Sequence, residues 1–326
     1  MSSLTNNFVY QKMIDVFSNK KINFQEAMKL INSADLDFLA DCANQITVKF
    51  GGDKVDVETL VNAKSGRCPE DCSFCSQSTF NTTKIEKYPL LTPERILAQA
   101  EEAKNNGANS FCIVCAYRSP PEQDFIQICN TIKLIKESLD IDVNTSLGFM
   151  TRDRALMLKK LGVKRYNHNL ETAKSMFDKI CTTHSYEDRI NTAKIVKEAG
   201  LELCSGGIIG MGETIEQRVE LGISLQSLNP DEVPVNMLIG REGTPLFNKF
   251  SLTEEEIIRT IATFRFLMPR AILKIAGGRE VHLKKNDKKV LKAGANGIIS
   301  GGYLTTKGNK HQEDIRMLKE IGLKQN

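Results

Sequence analysis

Apolar residues in the first fifty positions recur at helical spacing. Val9, Met13 and Val16 form one such series, and Leu36 and Leu39 begin another. Residues three and four apart lie on the same face of a helix, so each series would bury one stripe of side chains. The pattern predicts two or three helices over residues 8–46 that cap the main body of the protein.

After residue 52 the pattern changes to short β-branched runs that alternate with longer helical segments. Such alternation indicates a parallel sheet in an α/β protein, and eight units indicate a closed (β/α)8 barrel of the TIM type. An open doubly wound sheet fits the alternation as well. The predicted strands are 55–62, 110–116, 141–147, 163–169, 201–207, 232–238, 271–276 and 297–300. The predicted helices are 93–105, 124–138, 153–161, 186–199, 215–228, 254–267, 286–293 and 312–321.

The length of 326 residues suits one barrel-sized domain. We predict a single domain over residues 1–326. It would consist of N-terminal helices over 1–50, the barrel over 51–301, and a closing loop and helix over 302–326.

The composition is that of a globular protein, with 41% hydrophobic and 26% charged residues. Its 44 basic and 40 acidic residues are dispersed, so we expect no nucleic-acid partner. The chain has no apolar run of about 18 residues and no basic start followed by an apolar segment, so we expect a soluble cytoplasmic protein without a membrane partner. Nine cysteines in such a protein favour thiolate ligands and free thiols over disulfides.

Three of these cysteines carry the strongest chemical signal. Cys68, Cys72 and Cys75 are spaced C-x3-C-x2-C directly after the first predicted strand, where the chemistry of a parallel barrel belongs. A structural zinc site needs four protein ligands, and no neighbouring His or Cys in the sequence completes this set. Three thiolates on a four-iron cluster leave one iron open for a small molecule. The motif therefore favours an iron–sulfur cluster that binds a ligand.

Four further cysteines follow the predicted strands. Cys112 and Cys115 lie on the second strand, Cys204 lies on the fifth, and Cys181 follows the fourth. Four thiolates inside one barrel would hold a second metal–sulfur cluster. Because side chains alternate along a strand, Cys112 and Cys115 both point inward only if the strand bulges or ends between them. Otherwise some of these residues are small core thiols.

The three-cysteine loop, with Phe74 before its last cysteine, resembles the cluster loop of the radical S-adenosylmethionine (SAM) enzymes. Six segments resemble motifs of the biotin synthase family in that family's order, and the resemblance runs from about residue 55 to the C-terminus. These segments are RCPEDCSFCSQS (67–78), YNHNLET (166–172), LCSGGIIGMGE (203–213), VPVNML (233–238), GGRE (277–280) and LTT (304–306).

The resemblance implies a radical SAM enzyme in which dethiobiotin receives sulfur from an auxiliary iron–sulfur cluster and becomes biotin. In this reading the first three cysteines hold a [4Fe–4S] cluster that chelates SAM. The implied SAM contacts are Glu171 at the ribose hydroxyls, Arg189 at the carboxylate, and Phe74 and Ile208 beside the adenine.

The resemblance also implies the substrate contacts. Asn167, Asn169 and Asn236 match polar positions near the ureido ring, and Thr305 and Thr306 match those that meet the substrate carboxylate. An amide offers both a donor and an acceptor, as a cyclic urea requires. Asn167 and Asn169 are two residues apart and would face the same side of a strand.

The auxiliary site departs from the family's pattern of three cysteines and one arginine. Cys112 and Cys204 match two of the ligands, but Asn144 stands where the third cysteine is expected and Lys274 replaces the arginine. We hypothesise that a four-iron auxiliary cluster replaces the two-iron one. Its ligands would be Cys112, Cys115, Cys181 and Cys204.

The resemblance further implies an electron donor of the flavodoxin or ferredoxin type, and we expect a homodimer. Two alternatives stay open at this point. A sulfur-free radical enzyme similar to methylornithine synthase or to a hydrogenase-maturation enzyme would share the barrel. A non-catalytic zinc or iron–sulfur binding module would share only the cysteines.

Overall fold

Parallel strands close into one barrel in the computed structural model, which describes residues 2–284 and 286–325. Its strands are β1 (Lys54–Lys64), β2 (Ser110–Cys115), β3 (Asp142–Ser146), β4 (Val163–Asn167), β5 (Glu202–Cys204), β6 (Gly207–Ile209), β7 (Glu232–Met237), β8 (Ile272–Ile275) and β9 (Gly297–Ile299). The fifth of the eight strand positions is shared by β5, which pairs with β4 and β7, and β6, which pairs with β7. The ring closes because β9 pairs with β1, with Gly297 opposite Asp56. The predicted (β/α)8 barrel is confirmed, and this closure excludes the open doubly wound sheet.

Helices surround the barrel and fill the connections between its strands. Several of the longer helices begin at a capping box, in which the cap residue and the third helical residue each accept the other's backbone N–H through their side chains. Thr214 and Gln217 form this box for residues 215–228, and Thr253 and Glu256 form it for residues 254–267. No helix in the described part of the chain is both long and apolar enough to cross a membrane. The helices are α1 (Ser2–Phe17), α2 (Phe24–Ile31), α3 (Leu36–Gly51), α4 (Pro93–Asn105), α5 (Glu122–Ser138), α6 (Arg152–Lys160), α7 (Lys174–Phe177), α8 (Tyr186–Glu198), α9 (Ile215–Leu228), α10 (Glu254–Leu267), α11 (Arg279–His282), α12 (Asp287–Leu291) and α13 (His311–Glu320).

The N-terminal helices pack on the outer helices of the barrel. α3 lies against α10, and α2 lies against both α9 and α10. Apolar residues of α3, such as Leu39 and Ile46, are fully buried in this contact. Thr47 Oγ1 donates to Gly294 O at 2.9 Å, which ties α3 to the turn before β9.

The strands bury two kinds of side chain on their two faces. On β1, Val55 and Val57 belong to the main apolar core. The alternate residues Asp56 and Glu58 are also buried, and they form ion pairs on the barrel axis. The centre of this barrel is therefore charged, whereas the layer between strands and helices is apolar.

The loops after the strand carboxyl ends form the mouth of the barrel, where the predicted site lies. A short strand, β10 (Lys324–Gln325), pairs with the first residues of β1 outside the ring.

Candidate active site at the barrel mouth

The loop after β1 brings the three motif cysteines to the mouth of the barrel. Cys68 N–H donates to Gln77 O and Cys75 N–H donates to Cys72 O, both at 3.0 Å, so backbone hydrogen bonds fold the loop back on itself. Asn81 Nδ2 reinforces the turn by donating to Cys75 O at 2.8 Å. All three cysteines line one cavity of about 180 Å³. The loop thus presents three thiols to a single space.

The surroundings of these thiols fit a bound iron–sulfur cluster. Burial raises the pKa of Cys75 to about 11 and also raises the pKa of Cys68, so free thiolates are disfavoured. A bound metal ion overcomes this effect because it keeps a coordinating thiol deprotonated. Positive charge also lies close, since Arg189 Nη2 is 4.0 Å from Cys72 Sγ. Three thiols and no fourth protein ligand on this loop suit a cluster with one open iron.

Glu171 and Arg189 lie together on the wall of the same cavity. Arg189 Nη1 is 3.6 Å from Glu171 Oε1 and donates to Asn169 O at 2.9 Å. Arg189 Nε is buried and has no hydrogen-bond partner among the described residues, which leaves a donor for a ligand. Burial raises the pKa of Glu171, and the neighbouring guanidinium opposes that rise. An acceptor beside a free cationic donor fits a ligand that carries both hydroxyls and a carboxylate, as SAM does.

A second cavity of about 200 Å³ adjoins the first. Asn236 lies on its wall, where its Oδ1 accepts the N–H of Gly277 at 3.0 Å. Thr305 is held there by a 2.8 Å contact between its Oγ1 and Ser76 Oγ. The walls of the two cavities share Phe74, Cys75, Gln77 and Leu304.

The residues predicted to contact SAM and those predicted to contact the substrate are mixed between the two cavities. Asn167 and Asn169, matched to the substrate, line the first cavity together with Glu171 and Arg189. Ile208, matched to the adenine, lines the second. Its neighbours there are the substrate-matched residues Asn236, Thr305 and Thr306.

The structure does not gather the four cysteines predicted for the auxiliary cluster. Cys181 Sγ lies at the mouth, 3.8 Å from Cys72 Sγ and 3.3 Å from His184 Nδ1. Asp71 fixes this position, because its Oδ1 accepts the N–H of Thr182 at 2.9 Å and so ties the Cys181 segment to the cluster loop. Cys181 therefore lies at the mouth, apart from the thiols at the barrel centre.

The other three predicted ligands are Cys112, Cys115 and Cys204. They do not share one site, because side chains alternate between the two faces of a strand. Cys112 is flanked by Leu60 and Asn144 in the sheet and faces the charged centre of the barrel, where Cys204 Sγ donates to Glu232 Oε1 at 3.1 Å. Burial raises the pKa of both thiols well above the ordinary value. Cys115 belongs to the apolar layer. β1 shifts its register beside Cys115, between Asn62 and Lys64, but β2 keeps its alternation. Cys115 and Cys112 therefore lie on opposite faces of β2.

Ion pairs occupy the barrel centre where the family pattern has its auxiliary ligands. Lys274 Nζ lies 2.8 Å from Glu58 Oε2, 2.8 Å from Glu232 Oε2 and 2.9 Å from Asp56 Oδ1. Burial lowers the pKa of Lys274, but the three carboxylates outweigh this and raise it well above the ordinary value.

Asn144 is engaged at both ends of its amide. Its Nδ2 donates to Glu58 Oε1 at 2.6 Å and its Oδ1 accepts the N–H of Arg165 at 3.2 Å. With Lys274 and Asn144 both occupied by protein partners, these residues do not fit the ligand set of a two-iron cluster.

Sequence reasoning missed a group of polar residues that supports the cluster loop. Glu70 Oε1 accepts from Arg118 Nη1 at 2.8 Å, and its Oε2 lies 2.5 Å from His184 Nδ1. Together with Asp71, Glu70 fastens the loop to the segment that follows α7. The signal was present as two acidic residues between Cys68 and Cys72, although their partners lie far away in the sequence.

Comparison with known proteins places the chain in a family. The model of the radical SAM superfamily matches residues 63–222, and that of the biotin and thiamin synthesis associated domain matches residues 234–324. The biotin synthase of Nitrosopumilus maritimus (strain SCM1) is 50% identical over 97% of this chain and 98% of its own length. Those of Cenarchaeum symbiosum (strain A) and Clostridium perfringens (strain 13 / Type A) are 48% and 44% identical over at least 94% of both chains.

Solved structures share the fold at much lower identity. A methylornithine synthase superposes with a TM-score of 0.83 at 21% identity and 97% coverage of both chains. An FeFe-hydrogenase maturase from Carboxydothermus hydrogenoformans gives a TM-score of 0.82 at 15% identity, covering 99% of this chain and 84% of its own. These likenesses concern the barrel alone. The full-length sequence relatives, together with the two matched domains, show that the chain belongs to the biotin synthase family of radical SAM enzymes.

Proposed function

We propose that this enzyme inserts sulfur into dethiobiotin to form biotin, using SAM, a [4Fe–4S] cluster and an auxiliary iron–sulfur cluster. The observation that carries the proposal is the single cavity whose wall holds three thiols, Glu171 and Arg189. A second cavity with Asn236, Thr305 and Thr306 adjoins it. A cofactor and a substrate can therefore lie side by side, as radical transfer between them requires.

The protein's own residues bind and orient the reactants. Cys68, Cys72 and Cys75 would hold the cluster, and Arg189 and Glu171 would fix SAM by its carboxylate and ribose. When bound, the cluster and SAM supply a 5′-deoxyadenosyl radical, which can break the unactivated C–H bonds of the substrate. Asn167, Asn169 and Asn236 would accept and donate hydrogen bonds to the ureido ring, and Thr305 and Thr306 would meet the carboxylate. Cys75 and Phe74, which line both cavities, would separate the reactants from water.

The auxiliary cluster would contain four irons. The barrel centre lacks two of the four ligands that a two-iron cluster has in the family pattern, since Asn144 and Lys274 stand at those positions. Cys115 lines the first cavity at the edge of the apolar layer, and Cys181 Sγ lies 3.8 Å from Cys72 Sγ. The family pattern contains neither thiol. They are the first candidates for ligands of a differently built cluster.

Electrons would come from a flavodoxin- or ferredoxin-type donor. The net charge of +4 favours an acidic partner of this kind. The active form would be a homodimer, for which the exposed apolar side chains Tyr10 and Val48 on the N-terminal helices offer contact area. Sedimentation of the parent protein and of a Tyr10→Glu/Val48→Glu variant tests this point, because a homodimer that buries these two side chains would dissociate in the variant.

The function is tested by reconstituting the protein anaerobically with iron and isotopically heavy sulfide. It is then supplied with SAM, dethiobiotin and a one-electron reductant. We expect 5′-deoxyadenosine and biotin that carries the heavy sulfur. Formation of 5′-deoxyadenosine without biotin would favour the sulfur-free radical enzymes, and formation of neither product would favour a metal-binding module.

A further inference from the structure

The loop that carries the three motif cysteines has an outer face, away from the two cavities, that the proposed site does not use. Five side chains on this docking face are exposed: Arg67, Phe80, Lys84, Lys87 and Phe247. We propose that a small acidic one-electron carrier protein docks here to reduce the cluster. The proposal rests on the proposed function, because it locates the surface through which that function receives its electrons.

The docking face is joined to the backbone of a cluster ligand. The N–H and Oγ1 of Thr79 both donate to Cys68 O, at 2.9 and 3.1 Å, and Phe80 is the next residue. Cys68 itself is half-buried, and its neighbours Arg67 and Pro69 are exposed. SAM and the substrate would fill the cavities on the inner side of the loop. An electron carrier therefore has access to the cluster from the outer side.

Two aromatic rings give the docking face an apolar part. Phe80 is 64% exposed, the largest fraction for any bulky apolar side chain in the described part of the chain, and Phe247 is 41% exposed. Thr82 N–H donates to Gly243 O at 3.0 Å, which joins the cluster loop to the loop that carries Phe247. A groove of about 630 Å³ lies between these loops, with Lys84 and Phe247 on its walls. Exposed apolar surface rimmed by polar residues is typical of protein contacts, in which aromatic residues are enriched.

Positive charge surrounds these rings. The exposed cations of residues 65–90 are Arg67, Lys84 and Lys87. Glu86 is the one exposed carboxylate of that segment. On the neighbouring loop, Arg241 and Lys249 outnumber Glu242. A surface of this charge attracts an acidic partner and speeds the encounter with it.

A second copy of this chain is a poorer occupant of the docking face. In a two-fold contact the same patch lies on both subunits, so the cations of one copy would meet those of the other. An electron carrier of the flavodoxin or ferredoxin type is acidic and has to bind only briefly. Small contacts are typical of such electron-transfer complexes, and electrostatic steering speeds their formation.

Two reductants separate docking from chemistry. Photochemically reduced flavodoxin has to dock, whereas dithionite is small and reduces the cluster without a protein contact. For Lys84→Glu/Lys87→Glu, the flavodoxin concentration for half-maximal 5′-deoxyadenosine formation should rise at least about tenfold, because electrostatic steering contributes about 10- to 1,000-fold to association. Dithionite-driven formation and the iron content should match those of the parent. Phe80→Ala should show the same split through loss of apolar contact.

The matched control is Lys104→Glu/Lys159→Glu. It makes the same change of charge at the exposed ends of α4 and α6, away from the barrel mouth, and should keep the flavodoxin dependence of the parent. Added salt should weaken the response to flavodoxin in the parent and in this control, but much less in the docking-face charge variant. Calorimetric titration with oxidised flavodoxin gives the same comparison as affinities, without catalysis.

Equal flavodoxin dependence in the parent and in both docking-face variants would overturn the proposal. So would a dimer that dissociates in these variants during sedimentation, because the face would then join two copies of the chain. The calorimetric affinities are independent of turnover. A parent that binds flavodoxin through this face, yet forms no 5′-deoxyadenosine with either reductant, would refute the proposed function and support the docking face.

Discussion

Cys181 Sγ lies 3.8 Å from Cys72 Sγ, although 109 positions separate the two residues in sequence. A thiol outside the three-cysteine motif therefore touches the loop that would hold the SAM-binding cluster. The contact depends on Asp71 and Glu70, which lie between the first two motif cysteines and accept hydrogen bonds from residues 182–184. The cluster loop and the Cys181 segment thus form one structural unit.

Replacing Cys181 or Cys115 should stop sulfur insertion into the substrate while the cleavage of SAM continues. For Cys181→Ala and Cys115→Ala, made separately, we expect biotin formation to fall by more than about 100-fold, because each is a proposed ligand and even a residue that only supports a metal ligand contributes about 10- to 100-fold. Formation of 5′-deoxyadenosine should continue, because Cys68, Cys72 and Cys75 remain. Both products would be measured in the same anaerobic reaction. Cys129→Ala, at a half-buried thiol on α5, is the control and should change neither. A parallel loss of both products would instead assign the altered cysteine to the first cluster.

Arg189→Lys should weaken SAM binding. Lysine keeps the charge but lacks the planar set of donors, one of which donates to Asn169 O while buried Nε has no partner among the described residues. Charge-assisted hydrogen bonds contribute about 1.5–3 kcal/mol, so we expect the SAM concentration for half-maximal 5′-deoxyadenosine formation to rise by about 10- to 100-fold. Arg152→Lys, at the exposed start of α6, is the matched control. An unchanged SAM dependence would remove Arg189 from the cofactor site.

The helices and strands could largely be predicted from local pattern. The segments 93–105, 215–228 and 254–267 have the predicted bounds, because each begins at a signal that acts locally: proline at the first turn in one case and a threonine cap in the others. The fifth strand is split, which the pattern did not predict. A side chain at Gly206 would clash with Pro234 O on β7, so the two strands approach closely just where the ladder is interrupted.

The site was less predictable because it depends on contacts between distant segments. Asp56 and Glu58 alternate with Val55 and Val57, so the sequence does indicate that two carboxylates share one face of β1. That Lys274 meets both depends on the closure of the barrel. The position of Cys181 depends likewise on Asp71, whose partners are more than a hundred residues away. Neither relationship has a local signature.

Lys274→Met should be strongly destabilising. It would leave Asp56, Glu58 and Glu232 buried without their common cation, and breaking a buried ion pair in this way costs about 3–5 kcal/mol. The free energy of unfolding, measured with denaturant on the metal-free protein, should fall by that amount. Lys164→Met breaks a half-exposed pair with Asp142 and should cost less than about 1 kcal/mol. Similar small losses for both variants would mean that water reaches the barrel centre.

Asp15 should make the stability of the N-terminal helices depend on pH. Its carboxylate accepts from Lys12 at 2.7 Å and from Lys20 at 3.1 Å, and these hydrogen bonds lower its pKa from 3.8 to about 2. Because the folded state holds the proton less tightly than the unfolded state, the stabilisation is complete above pH 3.8 and disappears as the pH falls through about 2.

Asp15→Asn should therefore lower the free energy of unfolding by about 1 kcal/mol near neutral pH, a value reduced by solvent screening. The difference from the parent should shrink below about pH 4, as measured by urea unfolding of the metal-free proteins at several pH values. Glu101→Gln, at an exposed carboxylate on α4, is the control and should shift stability little at any pH. A difference that stays constant down to pH 2 would show that Asp15 acts through packing and not through its charge.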